Sequence, residues 1–376
     1  MRHRWGAEGG GWWLDDPEIG DPFIEKTKAL GEPLICIHKG FPLPGFSREY
    51  ADPKDVGPAA VKHPDVNFIV YHSAYENGHF EGPYDPEGGG VNRLIRTCLD
   101  NDVAGKNVYA EMGSVNPQFV FPGKLGADPA HFAESLFGSV TMGNGQFCTC
   151  PSMVFIPEGD DLSKMSERYL ELVGESQGAA LLNPGIANAF SQGIDQWKAI
   201  EGVEVLAEGS LEGTEVGAAP VVAKVSLGDF MKNSEPFMHE VFGPSTMFVV
   251  CPDKESFVEA SDVFDGQLGS SIHCSEDEIG AASDLISKIG QFSGRVCINS
   301  FPTGIEVCDS VHHGGPYPAT TDAQHTSIGT AGISRWGRPI SFQGTPDELL
   351  PDELKSGNPL GLMRLVDGTW TRDAVS

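Results

Sequence analysis

The chain has 376 residues, and 53 acidic against 25 basic side chains give it a net charge of −28. That much negative charge repels polyanions, so nucleic acid is excluded as a partner. A hydrophobic content of 40% excludes a largely disordered chain, and the length allows two or three domains at roughly 150 residues each. No apolar run approaches the ~20 residues of a membrane span, and the start does not read as a signal peptide.

The cysteines lie mostly inside apolar runs such as L-I-C-I and R-V-C-I-N, where a thiol packs as a small hydrophobe. Their positions are 36, 98, 148, 150, 251, 274, 297 and 308. Scattered, buried thiols in a long chain are typical of a reducing compartment. We therefore expect a cytoplasmic protein.

Two apolar runs of strand length each end in a histidine, at His38 and His72. Residues 55–63 between them can form a crossover helix. Continuous apolar strands joined by helical crossovers predict a parallel sheet covered on both faces. In a β/α barrel, chemistry collects at the C-terminal ends of strands, where both histidines lie. They are therefore candidate metal ligands, with ordinary strand-end histidines as the alternative.

These runs carry a resemblance that covers roughly residues 15–114. L-I-C-I-H-K-G-F, D-V-N-F-I-V-Y-H-S-A-Y-E and N-V-Y-A-E-M-G-S resemble an amidohydrolase-related metal-dependent hydrolase. The resemblance implies that His38 and His72 face a divalent metal. The first-strand metal motif and the late aspartate of that family are absent, whereas a zinc site normally takes three protein ligands. We expect an incomplete site and no bound divalent metal.

Further along, T-M-G-N-G-Q-F-C-T-C-P places Cys148 after a turn punctuated by Gly143 and Gly145. Glycines leave room for a substrate to approach a nucleophilic thiol. Such a thiol also needs a base that deprotonates it or activates water. Glu111, 37 residues upstream in A-E-M-G-S-V-N-P, is the candidate. The pattern predicts a cysteine nucleophile paired with a glutamate.

Together these motifs resemble an aldehyde dehydrogenase of the α-ketoglutarate semialdehyde group, over about residues 107–376. The resemblance implies that Cys148 attacks an aldehyde and that Glu111 activates the water that releases the acid. It implies NAD or NADP as cofactor, with Glu240 and Phe242 of H-E-V-F-G-P against the nicotinamide ribose and ring. The C-terminal M-R-L-V-D-G-T-W-T is itself predicted to be a strand, and the resemblance implies that it pairs with a neighbouring subunit in a homo-oligomer.

We therefore predict an α/β fold in two parts. Residues 1–106 are interpreted as an incomplete β/α-barrel segment, and residues 107–376 as an open parallel-sheet catalytic domain. Within the second part, helices are predicted at 163–177, 186–200 and 279–289, and strands at 218–225 and 269–273.

The predicted function is NAD(P)-dependent oxidation of a small aldehyde or semialdehyde. No W-N-F-P or G-S-T-x-x-G stretch of the family's cofactor domain is found, so we expect impaired activity. Two alternatives stay open. One is a metal-dependent amidohydrolase or decarboxylase that uses His38 and His72, and the other is a chimeric fusion without activity.

Overall fold

The computed structural model describes residues 11–31, 34–39, 49–71, 74, 87–103, 111–214, 216–337 and 339–375. For residues 36, 38, 69, 71 and 336 only the backbone is described. The chain divides into two compact units, Met1–Gly332 and Ile333–Ser376. The predicted boundary after residue 106 stays a prediction.

The α-helices among the described residues follow one another through the whole first unit. They are α1 (Gly20–Ala29), α2 (Val56–Lys62), α3 (Gly90–Asp100), α4 (Pro122–Ala127), α5 (Pro129–Thr141), α6 (Asp160–Glu175), α7 (Pro184–Ala199), α8 (Leu227–Lys232), α9 (Phe257–Ala260) and α10 (Ile279–Phe292). Two of them, α5 and α7, begin where the sequence supplies both a cap and a first-turn proline. Asp128 accepts from His131 N at 3.0 Å before α5, and Asn183 accepts from Ile186 N at 3.0 Å before α7.

The strands that the structure describes form one large sheet and three small ones. They are β1 (Leu34–His38), β2 (Asn67–Tyr71), β3 (Gln118–Val120), β4 (Met153–Pro157), β5 (Ala179–Ala180), β6 (Glu204–Glu208), β7 (Gly217–Ala218), β8 (Val221–Ser226), β9 (Ser245–Cys251), β10 (Ser270–His273), β11 (Val296–Ile298), β12 (Arg364–Val366) and β13 (Thr369–Thr371). Within the described residues the large sheet runs in the order β11-β10-β3-β4-β9-β8-β6. Adjacent strands in this sheet are parallel except at one edge, where β6 pairs antiparallel with β8.

Alternate residues of the central strands point to opposite faces of this sheet, and both faces are buried. On β4, Phe155 packs into a core built with α7, α8, α9 and α10, whereas Val154 packs into a second core built with α4, α5 and α6. Helices therefore cover both faces, as expected for parallel strands with continuous apolar runs. The predicted open α/β sheet is confirmed.

The upstream residues form a βαβ unit with its own apolar core. β1 and β2 are parallel, with Leu34 opposite Asn67, and α2 connects them. Ile35, Ile37 and Phe68 pack there against α1, α2 and α3. Among the described residues these two strands pair only with each other, so the predicted barrel fragment is not confirmed. A βαβ unit occurs in open sheets and in barrels alike, so the local pattern cannot distinguish them.

Ile333–Ser376 contains a small antiparallel hairpin in which β12 pairs with β13. The prediction of one strand here was wrong, because Asp367 and Gly368 both have positive φ, 49° and 79°, and form the tight turn that Asp-Gly favours. Across the described ranges, no helix combines the length and apolar character that a bilayer crossing requires.

Candidate active site

Three side chains from distant parts of the chain meet in one cluster. His313 Nε2 lies 3.3 Å from Cys148 Sγ and 2.9 Å from a carboxylate oxygen of Glu111. The thiol also hydrogen-bonds the Glu111 carboxylate. Cys148 is half-buried, His313 is buried, and the Glu111 side chain is 30% exposed. The Glu111 carboxylate can only accept, so it is the acceptor for the proton on the sulfur, whereas His313 Nε2, which faces both groups, donates to that carboxylate when it carries a proton.

The cysteine loop, residues 142–152, presents Cys148 ahead of β4. Its first turn carries three consecutive residues with positive φ, at Gly143, Asn144 and Gly145. A Cβ on Gly145 would lie 2.1 Å from the carbonyl carbon of Gly243, so only glycine fits there. This close approach sets the loop directly against the residues that lead into β9.

The glutamate segment, residues 111–117, holds the cysteine loop through Asn116. Its side-chain amide donates to Cys148 O at 2.9 Å and to Cys150 O at 3.0 Å. Asn116 is fully buried with φ 47°, a conformation that asparagine tolerates better than most residues. One side chain therefore positions both carbonyl groups that flank Thr149.

Gln267 in turn fixes the glutamate segment. Its Oε1 accepts from Val115 N at 2.9 Å, from Ser114 Oγ at 3.0 Å and from Asn116 N at 3.3 Å. Gln267 and Ser114 are buried, so these bonds form away from water, where an unpaired polar group is costly. The network makes the backbone before β3 rigid.

A long loop after β11 brings His313 to the cluster. His313 N donates to Thr326 Oγ1 at 2.9 Å, and its carbonyl accepts from Ser327 N at 2.8 Å. The same loop pairs with the glutamate segment, because Met112 N donates to Ala319 O at 2.8 Å and Glu111 forms an antiparallel bridge with Thr320. Both contacts hold the imidazole beside the carboxylate.

The cluster lies where strands begin. Glu111 precedes β3, Cys148 precedes β4 and Gln267 precedes β10. Sites in open parallel sheets usually form at the carboxyl ends of the strands. The expectation of chemistry at strand C-terminal ends therefore does not describe this cluster.

Burial and nearby carboxylates set the protonation of the site. Burial raises the pKa of the Cys148 thiol, and the charges of Glu111 and Glu240 raise it further. Burial, and then the charge of Glu111, raises the pKa of Glu240 to about 8, against the opposing hydrogen bond from Ser114 N. The site therefore holds a protonated thiol, with its proton acceptor, the Glu111 carboxylate, already in contact with it.

A cavity of about 320 Å³ lies next to the glutamate segment. Its walls include Met112, Gly113 and Ser114, which directly follow Glu111, and also Glu240 and Gln267. A Cβ at position 113 would lie 3.2 Å from Glu240 Oε2, so glycine keeps this wall open. A ligand in the cavity meets a carboxyl group and backbone amides.

The structure thus brings together Cys148 and Glu111, and places Glu240 close enough to affect the thiol electrostatically. Phe242 is half-buried in the segment before β9, next to the Gly243 that Gly145 approaches. The side chain of His38 and the whole of His72 lie outside the described residues.

His313, in the stretch H-H-G-G-P-Y-P-A-T-T-D, was not predicted from the sequence as a partner of the thiol. The positioning roles of Asn116 and Gln267 were not predicted either. The only local signal was a histidine inside a glycine-rich, proline-rich stretch, and nothing in the sequence pairs it with residue 148.

A thiol between an imidazole and a carboxylate, on an open α/β sheet, defines a candidate thiol-dependent enzyme. Comparison with known proteins gives the family. The sequence profile of the Aldehyde dehydrogenase family matches residues 90–317. The chain belongs to the aldehyde dehydrogenase family.

Two relatives share about a third of their aligned residues with this chain. The chain is 33% identical over 330 residues to α-ketoglutaric semialdehyde dehydrogenase 2 of Azospirillum brasilense, which covers 88% of the chain and 60% of that protein. It is 34% identical over 337 residues to α-ketoglutaric semialdehyde dehydrogenase of Acinetobacter baylyi, with 90% and 61% covered. The chain therefore spans about 60% of the length of the curated relatives it matches.

A solved structure has the same fold. PnpE in complex with nicotinamide adenine dinucleotide superposes with a TM-score of 0.57 at 17% identity, over 81% of this chain and 61% of that one. At this identity the likeness concerns the fold alone.

The alignments bear on the predicted hydrolase segment. Residues 107–376 number 270, yet 330 residues align with the Azospirillum relative, so at least 60 of them lie upstream. The family profile likewise begins at residue 90. The separate hydrolase origin inferred for residues 15–114 is not supported, because the similarity to one family continues upstream of residue 107. Short strand-plus-histidine strings such as L-I-C-I-H-K-G-F are too common in βαβ units to assign a family.

Proposed function

We propose that the Cys148 site oxidises an aldehyde to a carboxylate with NAD(P)⁺ as the electron acceptor. The contact of Cys148 with both Glu111 and His313 supports this most directly, because it supplies a nucleophile, a carboxylate that accepts its proton, and an imidazole that holds the carboxylate in place. Membership of the aldehyde dehydrogenase family gives the reaction class. The two semialdehyde dehydrogenase relatives suggest an acid semialdehyde as the substrate.

In the proposed reaction the sulfur loses its proton to Glu111 through their direct contact and attacks the carbonyl carbon. The partly exposed Glu111 carboxyl then releases that proton to solvent and is ionised again before the hydrolysis step. Asn116 keeps the backbone of residue 148 fixed while the carbon–sulfur bond forms, so the N–H of Cys148 stays available as an oxyanion donor. Glu111 then takes a proton from the water that hydrolyses the thioester. Its 30% exposure gives that water access.

The cavity beside the glutamate segment suits the nicotinamide-ribose half of the cofactor. The Glu240 carboxyl can accept from a ribose hydroxyl, Gly113 leaves room for close approach, and Phe242 is the proposed ring contact. When bound, the cofactor supplies the hydride acceptor. The fold neighbour PnpE was solved in complex with that dinucleotide.

The test is an assay on the purified chain with α-ketoglutaric semialdehyde, following NAD(P)H formation, alongside hydrolysis of an activated ester. Cys148→Ser is expected to lower both rates at least about 10³-fold, since the alcohol is a much weaker nucleophile. Cys308→Ser, at an exposed thiol, is the matched control and should behave as wild type. Unchanged turnover in Cys148→Ser would refute the proposal.

The ester assay distinguishes a defect in the thiol from a defect in the use of the cofactor, because ester hydrolysis does not need NAD(P)⁺. Ester turnover without NAD(P)H formation means a working nucleophile and an impaired dehydrogenase, which is the impairment expected from the sequence. Loss of both reactions in wild type contradicts the proposed function.

A further inference from the structure

Glu111, Cys148 and His313 also form a set of metal-ligand atoms. The thiol sulfur, an imidazole nitrogen and a carboxylate oxygen all lie within 4.8 Å of one another. In the part of the chain that the structure describes, no other group of three or more His, Cys, Asp and Glu side chains has this spacing. The three ligands come from the glutamate segment, the cysteine loop and the loop after β11, so the fold already assembles them.

This donor set matches zinc better than other common cations. Three protein ligands of sulfur, nitrogen and oxygen type, with water in a fourth position, are the usual ligands of reactive zinc sites. Mg²⁺ and Ca²⁺ prefer oxygen alone and do not select a thiolate. The partial exposure of Glu111 provides a path for the ion and a place for the water.

The three ligand atoms would have to move apart only slightly to bind a zinc ion. Usual bonds of about 2.3 Å to sulfur and about 2.1 Å to nitrogen or oxygen, in tetrahedral geometry, separate the ligand atoms by roughly 3.4–3.6 Å. The present separations are 3.3 Å from sulfur to nitrogen and 2.9 Å from nitrogen to oxygen. Shifts of a few tenths of an ångström therefore open the cluster around an ion, and all three ligands lie in loop segments.

We propose that Glu111, Cys148 and His313 bind one Zn²⁺ reversibly, and that the bound ion blocks the thiol. Binding replaces the S–H bond by a Zn–S bond and releases that proton to solvent, without oxidation or reduction. The Glu111 carboxylate supplies negative charge in the cluster itself, which attracts the cation. Zinc binding itself does not depend on the proposed function, whereas its inhibitory effect does.

The test measures zinc binding by the full chain in competition with a chromophoric chelator. Wild type should bind one equivalent, and Cys148→Ser and His313→Gln should each weaken that binding at least about tenfold. Cys308→Ser, which removes an exposed thiol outside the cluster, should bind as wild type does. Zinc affinity that is equal in wild type, Cys148→Ser and His313→Gln overturns the proposal, as does the absence of a stoichiometric site.

A second measurement uses wild type alone, so it holds even if a variant fails to fold. Zn²⁺ should slow alkylation of Cys148 by iodoacetamide at least about tenfold, and a chelator should restore the rate. Cys308, read by mass spectrometry in the same sample, is the internal control and should be labelled at an unchanged rate. Equal protection of both cysteines, or of neither, counts against the site.

The zinc measurements and the activity assay can fail independently, so the two proposals are tested separately. One zinc per chain that is lost in Cys148→Ser supports the site even if no NAD(P)H is formed. An active dehydrogenase that neither binds nor responds to zinc leaves the proposed function intact and removes the site.

Discussion

Glu240 carries the most unusual charge state in the site. Its pKa of about 8 in the folded protein compares with an ordinary value of 4.5. Between those two pH values the unfolded chain loses the proton while the folded chain keeps it. The stabilisation is therefore complete below about 4.5 and is lost as pH rises to 8, by at most about 1.4 kcal/mol per pH unit.

We predict that Glu240→Gln removes this dependence. The melting temperature of wild type should fall relative to Glu240→Gln as the pH is raised from 5 to 8, and the two curves should run parallel above 8. Thermal denaturation followed by circular dichroism measures the difference. Glu167→Gln makes the same substitution at an exposed position on α6 and is the control for the loss of one carboxyl group. Parallel curves for Glu240→Gln and wild type would contradict a raised pKa.

At the scale of single residues, the sequence was most informative where a reactive side chain lies beside a recognisable backbone feature. Cys148 follows glycines that only a tight turn explains, and Glu111 lies in a string with few alternatives, so the two were predicted as a pair. The structure places their side chains in contact, and their catalytic roles stay a prediction. His313 is 165 residues from Cys148 in sequence. Only the folded loop after β11 brings it near, and no local pattern encodes that distance.

Among the elements, the cysteine loop depends most on a single backbone position. Gly145 has φ 71°, and its Cα faces the backbone of Gly243 too closely for a side chain. Backbone atoms cannot move aside as a flexible side chain does. The loop and the segment leading into β9 must therefore separate if residue 145 carries a Cβ.

We predict that Gly145→Ala lowers the free energy of unfolding by about 2–5 kcal/mol, from the left-handed conformation and the overlap together. Urea denaturation gives the value. Gly138→Ala is the matched control, because a Cβ there meets nothing within 4 Å and α5 gains helix propensity of up to about 1 kcal/mol. A Gly145→Ala variant as stable as Gly138→Ala would show that the loop does not need this close approach.

Helices with a clear apolar period were predicted to within a few residues. The expected helices at 163–177 and 186–200 are α6 and α7, and the expected strand at 269–273 is β10. The local sequence pattern could not predict which segments pair with each other, or in which direction. The antiparallel direction of β6 and the bridge between Glu111 and Thr320 depend on which segments meet in space.

Over the whole molecule, one set of contacts links the functional segments before they reach the sheet. Gln267 holds the glutamate segment, Asn116 holds the cysteine loop, and Ser152 N donates to Val115 O at 3.2 Å. Each bond joins loops that enter neighbouring parallel strands β10, β3 and β4. The strand order therefore determines which side chains share the site. It explains why the segment at residue 111 lies against the loop that carries residue 148.

The same molecule carries 28 more negative than positive charges, an excess that ion pairs within the chain cannot neutralise. Like charges on a compact surface repel, and unfolding relieves that repulsion by spreading them apart. Salt shortens the range of the repulsion, from a Debye length of about 10 Å at 0.1 M to about 3 Å at 1 M. The folded state should gain most from this screening, because its charges lie closest together.

We therefore predict that the melting temperature at pH 7.5 rises by several degrees when NaCl is raised from about 0.1 M to about 1 M. The control is the same titration near pH 4.6, the pI expected from the sequence, where the net charge vanishes and there is little repulsion to screen. A rise of equal size at both pH values would indicate a general effect of salt on apolar burial instead. A melting temperature that falls with salt at pH 7.5 would mean that individual ion pairs outweigh the net repulsion, since screening weakens those pairs as well.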